Sequence, residues 1–135
     1  MKKIFVDTAA WIALFNRRDA LHHQTRQLMD RFRQQNIVLV STEFLLLEVA
    51  DAFSDSAIRG LTVEYINRLR RWKNLQIIPV SQSLLAEGWE LYSQRSDKDW
   101  GLTDCISFVV MTQENIAEAF TSDHHFQQAG FVKLL

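Results

Sequence analysis

The chain has 135 residues, room for one domain with a sizeable core and too little for two ordinary ones. Hydrophobic residues make up 47% and charged residues 23%, the balance of a globular chain rather than a disordered one. A formal net charge of -1 excludes a polycation that binds nucleic acid or membrane by bulk attraction, so a polyanion has to be held by a local patch or through a bound cation.

Lys3-Ile4-Phe5-Val6 is a short β-favouring run and reads as a buried strand, with Asp7 at its carboxyl end. Thr8 to Phe15 reads as a helix with Trp11, Ile12 and Phe15 on one side. Lys2-Lys3 imitates the start of a signal peptide. However, Asp7 interrupts the apolar stretch, and the run from Ala9 to Phe15 ends at Asn16-Arg17-Arg18 without a small-residue cleavage site. No segment approaches the length of a membrane span, and a cytoplasmic protein is the expectation.

Asp19-Ala20 opens a second predicted helix that runs to about Gln35. Ile37 to Val40 is a second strand, apolar throughout, as a strand covered on both faces would be. Ser41-Thr42-Glu43 then starts a helix with Ser or Thr as its cap. In that helix Glu48 stands alone in the apolar run Phe44 to Ala50, too far in to be a cap. A carboxylate there is paired, metal-bound or solvated through a cleft, because burying it alone is costly.

Gly60 is expected to break the chain, with a fourth helix over Thr62 to Lys73. Its Arg68, Arg70, Arg71 and Lys73 around Trp72 form the densest basic cluster. The cluster reads either as a solvated helix face or as a phosphate-contacting patch with an aromatic platform. Leu75 to Ile78 is a third strand closed by Pro79, and a helix from about Gln82 to Arg95 follows. After the polar loop Ser96 to Gly101, Leu102 to Met111 reads as a buried helix with Asp104 at its start. Ala117 to Thr121 is a fourth strand with Asp123 just beyond it, a short helix reaches Gln128, and Gly130 turns into a last strand from Phe131 to Leu135.

Strands alternating with helices predict an α/β fold, with a largely parallel sheet covered by helices on both faces. Ligands of such sheets bind outside the carboxyl ends of the strands. Asp7, Asp104 and Asp123 each suit a helix cap taken singly; Glu48 does not, and one cleft holding all four explains every one. Carboxylates so gathered raise one another's pKa, which a hard divalent cation, Mg²⁺ or Mn²⁺, relieves. The matching chemistry is phosphodiester hydrolysis. A zinc site is disfavoured, because His22-His23 and His124-His125 are adjacent pairs and Cys105 is the lone cysteine. That cysteine also precludes an internal disulfide. Glycine-rich phosphate loops are absent.

These motifs in order resemble the PIN-domain family, and within it the VapC-like toxins of bacterial toxin–antitoxin pairs. The resemblance is carried by Val6-Asp7-Thr8, Leu47-Glu48-Val49, Leu102-Thr103-Asp104 and Thr121-Ser122-Asp123, followed by Phe126 and Gly130-Phe131, and it spans essentially the whole chain. It implies a single PIN-like domain over residues 1–135, a three-layer α/β/α sandwich with a mainly parallel sheet of roughly five strands. It also implies a Mg²⁺-dependent endoribonuclease, with Mn²⁺ as a substitute ion and Asp7, Glu48, Asp104 and Asp123 as the metal-binding quartet. Asp97 would be accessory, and Thr8, Thr103 and Thr121 would orient ligands or waters. Arg68, Arg71 and Trp72 are the candidate nucleic-acid contacts. The implied partners are an RNA substrate, a cognate antitoxin that inserts a segment near the site, and a second copy of the chain. One departure is Ala9, where many relatives carry a hydroxyl residue; it removes no carboxylate. The competing readings are a non-cleaving module that binds RNA or protein, and a metal-dependent nuclease or phosphatase acting on another substrate.

Overall fold

The computed structural model describes residues 1–135. Five short strands, β1 (Lys3–Val6), β2 (Val38–Thr42), β3 (Leu75–Ile78), β4 (Glu118–Phe120) and β5 (Val132–Lys133), form one sheet in the order β3-β2-β1-β4-β5. Every pairing is parallel. The helices are α1 (Thr8–Phe15), α2 (His22–Gln34), α3 (Glu43–Ala52), α4 (Arg59–Arg71), α5 (Gln82–Gln94), α6 (Leu102–Gln113) and α7 (His125–Gln128).

The three layers follow from side-chain alternation along the strands. Ile4 and Val6 of β1 point into one core with Trp11, Met29, Phe32, Val49 and Leu69, from α1 to α4. Phe5, between them, points into the other with Leu84, Ile106, Phe108 and Phe126, from α5 to α7. Both faces of the sheet are covered, so successive residues of its central strand β1, Ile4, Phe5 and Val6, are all apolar and buried. The expected α/β/α sandwich with a five-stranded sheet is the observed fold, with a sheet that is wholly parallel.

Three helices are delivered into strands by the same device. Asn36, Asn115 and Gly130 take left-handed backbones, with φ of 53°, 55° and 96°, just past the ends of α2, α6 and α7. The next residues bond back across the last turn, Ile37 N–H to the Phe32 carbonyl, Ile116 to Met111 and Phe131 to Phe126. This is the Schellman closure, which tolerates Gly and Asn because the left-handed conformation penalises other side chains.

Several boundaries differ from the sequence expectation. Asp19 does not open α2; its carboxylate accepts the Leu21 N–H in a turn, and the helix begins at His22. Ser41 and Thr42 belong to β2, where Thr42 also caps α3 by accepting the Leu45 N–H. Gly60 lies inside the first turn of α4 rather than breaking the chain, and the helix ends at Arg71, leaving Lys73 outside. The last strand shrinks to Val132–Lys133. No helix is long and apolar enough to cross a membrane.

Candidate active site

β1 and β4 are neighbours, with Val6 opposite Phe120, so the residues that follow them emerge together at the carboxyl edge of the sheet. Asp7 occupies the N-cap position of α1 but makes no capping bond with its side chain. Instead, its Oδ2 accepts the Thr121 hydroxyl at 2.8 Å. The same hydroxyl oxygen accepts the Asp123 N–H at 3.1 Å, so Thr121 ties the ends of both strands into one unit. Behind Asp7, the Trp11 indole donates to Ser41 Oγ at 3.1 Å, and Ser41 donates to the Val6 carbonyl at 2.9 Å. Those buried bonds fix the first turns of α1 against β2.

The other acids arrive on helices. Asp104 is in the first turn of α6, where its Oδ2 accepts the Gly101 N–H at 3.1 Å. It therefore serves as a cap from inside the helix while facing the cleft. Asp123 Oδ1 accepts the His125 N–H at 2.9 Å and starts α7. Glu48 Oε1 accepts the Thr8 hydroxyl at 2.8 Å across from α1. Glu48 is exposed, together with Leu47 beside it. α3 buries Leu45, Leu46 and Val49 and turns its 47–48 edge to solvent.

One oxygen of each carboxylate is thus held by the protein, and no side chain donates to the other oxygen of any of the four. Burial pushes the Asp7 carboxyl up to about 7, with the Asp104 and Asp123 charges adding to the shift and the Thr121 hydroxyl opposing it. Burial first, then the Asp123 charge, raises Asp104. Partial burial raises Glu48, with Asp104 and Asp51 contributing. Clustered anions with free oxygens and no compensating lysine or arginine are a donor set that fits a hard divalent cation.

His125 is the site residue that sequence reasoning missed. Its Nδ1 lies 3.3 Å from Asp104 Oδ2 and 3.3 Å from Asp123 Oδ1, and its side chain is only 20% exposed. Adjacent histidines on a regular helix point to different faces and carry no zinc signature, so neither His124 nor His125 stands out in the sequence. The pair in fact splits: His124 is 69% exposed, while His125 turns into the cleft.

The remaining candidates fall in different places. Thr8 and Thr121 hold Glu48 and Asp7, whereas Thr103 makes no side-chain hydrogen bond. Asp97 is an exposed surface residue gripped by Arg95 at 3.0 and 3.1 Å, which holds its carboxyl below the ordinary range, and it contacts none of the four acids. Arg68, Arg71 and Trp72 line a cavity of about 990 Å³ between α1, α2 and α4, joined there by Arg17, Arg26 and Arg33. Arg33 stacks over the Trp72 ring at 4.6 Å. None of the four carboxylates lines this cavity, but Trp11, one turn along α1 from Asp7, does.

Residues 4–132 match the PIN domain family. The chain is 30% identical over 138 residues to the 23S rRNA-specific endonuclease VapC20 of Mycobacterium tuberculosis, covering 97% of each chain. The crystal structure of that VapC20, described as a sarcin-ricin loop cleaving toxin, superposes with a TM-score of 0.86 at 26% identity, over 97% of this chain and 98% of the other. VapBC2 of Rickettsia felis, bound to a DNA fragment from its promoter, has a TM-score of 0.69 at 15% identity, over 98% of this chain and 97% of that one. FitAcB of Neisseria gonorrhoeae has a TM-score of 0.69 at 14% identity, over 98% and 96%, and both of these likenesses are ones of fold.

Proposed function

This chain belongs to the PIN domain family, and on that premise we propose that it is a divalent-metal-dependent endoribonuclease that cuts structured ribosomal RNA, acting as the toxin of a toxin–antitoxin pair. The observation that carries the reading is the convergence of Asp7, Glu48, Asp104 and Asp123 at the carboxyl edge of β1 and β4, each with an oxygen that no side chain donates to. Similarity to VapC20 over 97% of both chains supports ribosomal RNA as the substrate.

Asp7, Asp104 and Asp123, with Glu48 at the open side, would hold Mg²⁺ or Mn²⁺. Such an ion, when bound, polarises the phosphoryl oxygen and lowers the pKa of an attacking water. The chain's own part is positioning. Thr121 and Thr8 fix the carboxylates they donate to, and the Gly101 amide fixes Asp104. Arg68 and Arg71, with Trp72 stacked under Arg33, would contact RNA phosphates beyond the scissile one. Asp97 and Thr103 are given no part in this scheme.

We assign the protein to the cytoplasm, with an antitoxin and a second copy of the chain as its protein partners. An exposed apolar stripe on α5, formed by Leu85, Trp89 and Tyr92, supports a protein-covered surface. The antitoxin is tested by expressing the protein together with the product of the adjoining gene; elution of the two as separate species would remove that partner.

The function is tested by incubating the purified chain with ribosomal RNA in Mg²⁺ and mapping new ends, alongside Asp104→Asn. A discrete cut made by the wild type and absent from the variant is expected. Equal cleavage by both would refute the site.

A further inference from the structure

His125 opens α7 with its backbone N–H on Asp123 Oδ1, while its ring reaches Asp104 on α6. One residue therefore spans two carboxylates that come from separate elements. Gly101 N–H is the only other donor to Asp104, and none of the Thr121, Thr8 or Gly101 donors reaches both acids. The ring is not a loose surface group, being packed at 4.4 Å from the His124 ring and mostly covered. Both oxygens facing Nδ1 belong to carboxylates, so the nitrogen between them is the donor, in the neutral Nδ1–H tautomer and in imidazolium alike.

We propose that His125 is a positioning residue for the metal site: its Nδ1–H holds Asp104 Oδ2 beside Asp123 Oδ1, so that the opposite oxygens of both carboxylates are set for one cation. Without that donor no group would bridge Asp104 Oδ2 and Asp123 Oδ1, and each would keep a single backbone N–H. Their mutual repulsion would then turn them apart before any ion arrives. Donors behind metal-ligating carboxylates commonly govern affinity in this way. The inference rests on the metal-dependent reading above.

Because the role belongs to one nitrogen, it can be separated from ring packing. The side-chain amide of Asn places its nitrogen where Nδ1 sits, that of Gln one bond farther out, at the Nε2 position, and Leu supplies bulk with no donor. The experiment is calorimetric titration of Mn²⁺ into the full chain and into His125→Asn, His125→Gln and His125→Leu, each checked by circular dichroism for a native fold. His125→Asn is expected to bind within a few-fold of wild type, and His125→Gln and His125→Leu about tenfold or more weakly. If His125→Leu does not fold, the contrast between Asn and Gln carries the decision.

Wild-type affinity in the Gln and Leu variants would overturn the inference and leave the metal reading standing. So would equal weakening in all three, which would make the ring's shape the cause. No Mn²⁺ binding by the wild type would overturn the metal reading, and this inference with it.

Discussion

Thr121 donates to Asp7 Oδ2 at 2.8 Å although 114 residues separate them. Both side chains are buried, and the same hydroxyl oxygen accepts the Asp123 N–H. Removing it leaves a buried carboxylate oxygen and a part-buried amide short of a partner. Thr121→Val keeps the shape, so it isolates that loss. We expect destabilisation of about 1–3 kcal/mol in urea unfolding, together with weaker Mn²⁺ binding. Unchanged values of both would show that Thr121 is only packing.

The Asp7 carboxyl near 7 makes a pH prediction with a definite sign. In the unfolded chain the group titrates near 3.8, so the folded chain binds its proton more tightly. That contribution is present below about pH 4 and is lost as pH rises from there through about 7. At 1.36 kcal/mol per unit, its ceiling is about 4 kcal/mol. Glu48 and Asp104 are shifted in the same direction. Without divalent ions, the wild type should therefore be more stable to urea at pH 5 than at pH 8, and Asp7→Asn should flatten the difference. Stability that climbs between those pH values would contradict it.

The arginines around Trp72 predict a split between affinity and metal binding. Arg68→Glu with Arg71→Glu should weaken RNA binding and flatten its salt dependence, by roughly one unit of slope per lost phosphate contact. Mn²⁺ affinity should not move, because the cavity contains none of the four carboxylates. An unaltered salt slope would take these residues out of the RNA path.

Trp89 and Tyr92 stack on each other at the exposed face of α5. If a second copy covers them, light scattering should give the mass of two chains, and Trp89→Glu should give that of one. A wild type that stays single at working concentrations would reject the homodimer.

The strands and six longer helices were legible because strand β-propensity and apolar helical stripes are local signals. So was the edge that carries Asp7 and Asp123, once alternating strands and helices implied a parallel sheet. The stops at Asn36 and Asn115 were not read, since Asn gives a weaker local mark than Gly at a left-handed position. Glu48 stood out as a lone acid in an apolar run, but its exposure is set by how α3 rolls to bury Leu45, Leu46 and Val49. His125 was invisible because the division of labour between two adjacent histidines is set by the turn that Asp123 makes at the head of α7.

The claim that the four carboxylates hold a divalent cation to cut RNA is tested most directly by end-mapping on one ribosomal RNA, with metal removed and restored. The account predicts no cut in EDTA, recovery with Mg²⁺ or Mn²⁺, and a loss on the order of a hundredfold or more in Glu48→Gln, whose exposed side chain can be changed with the fold intact. A cut that persists at full rate in EDTA, or in Glu48→Gln, would contradict it.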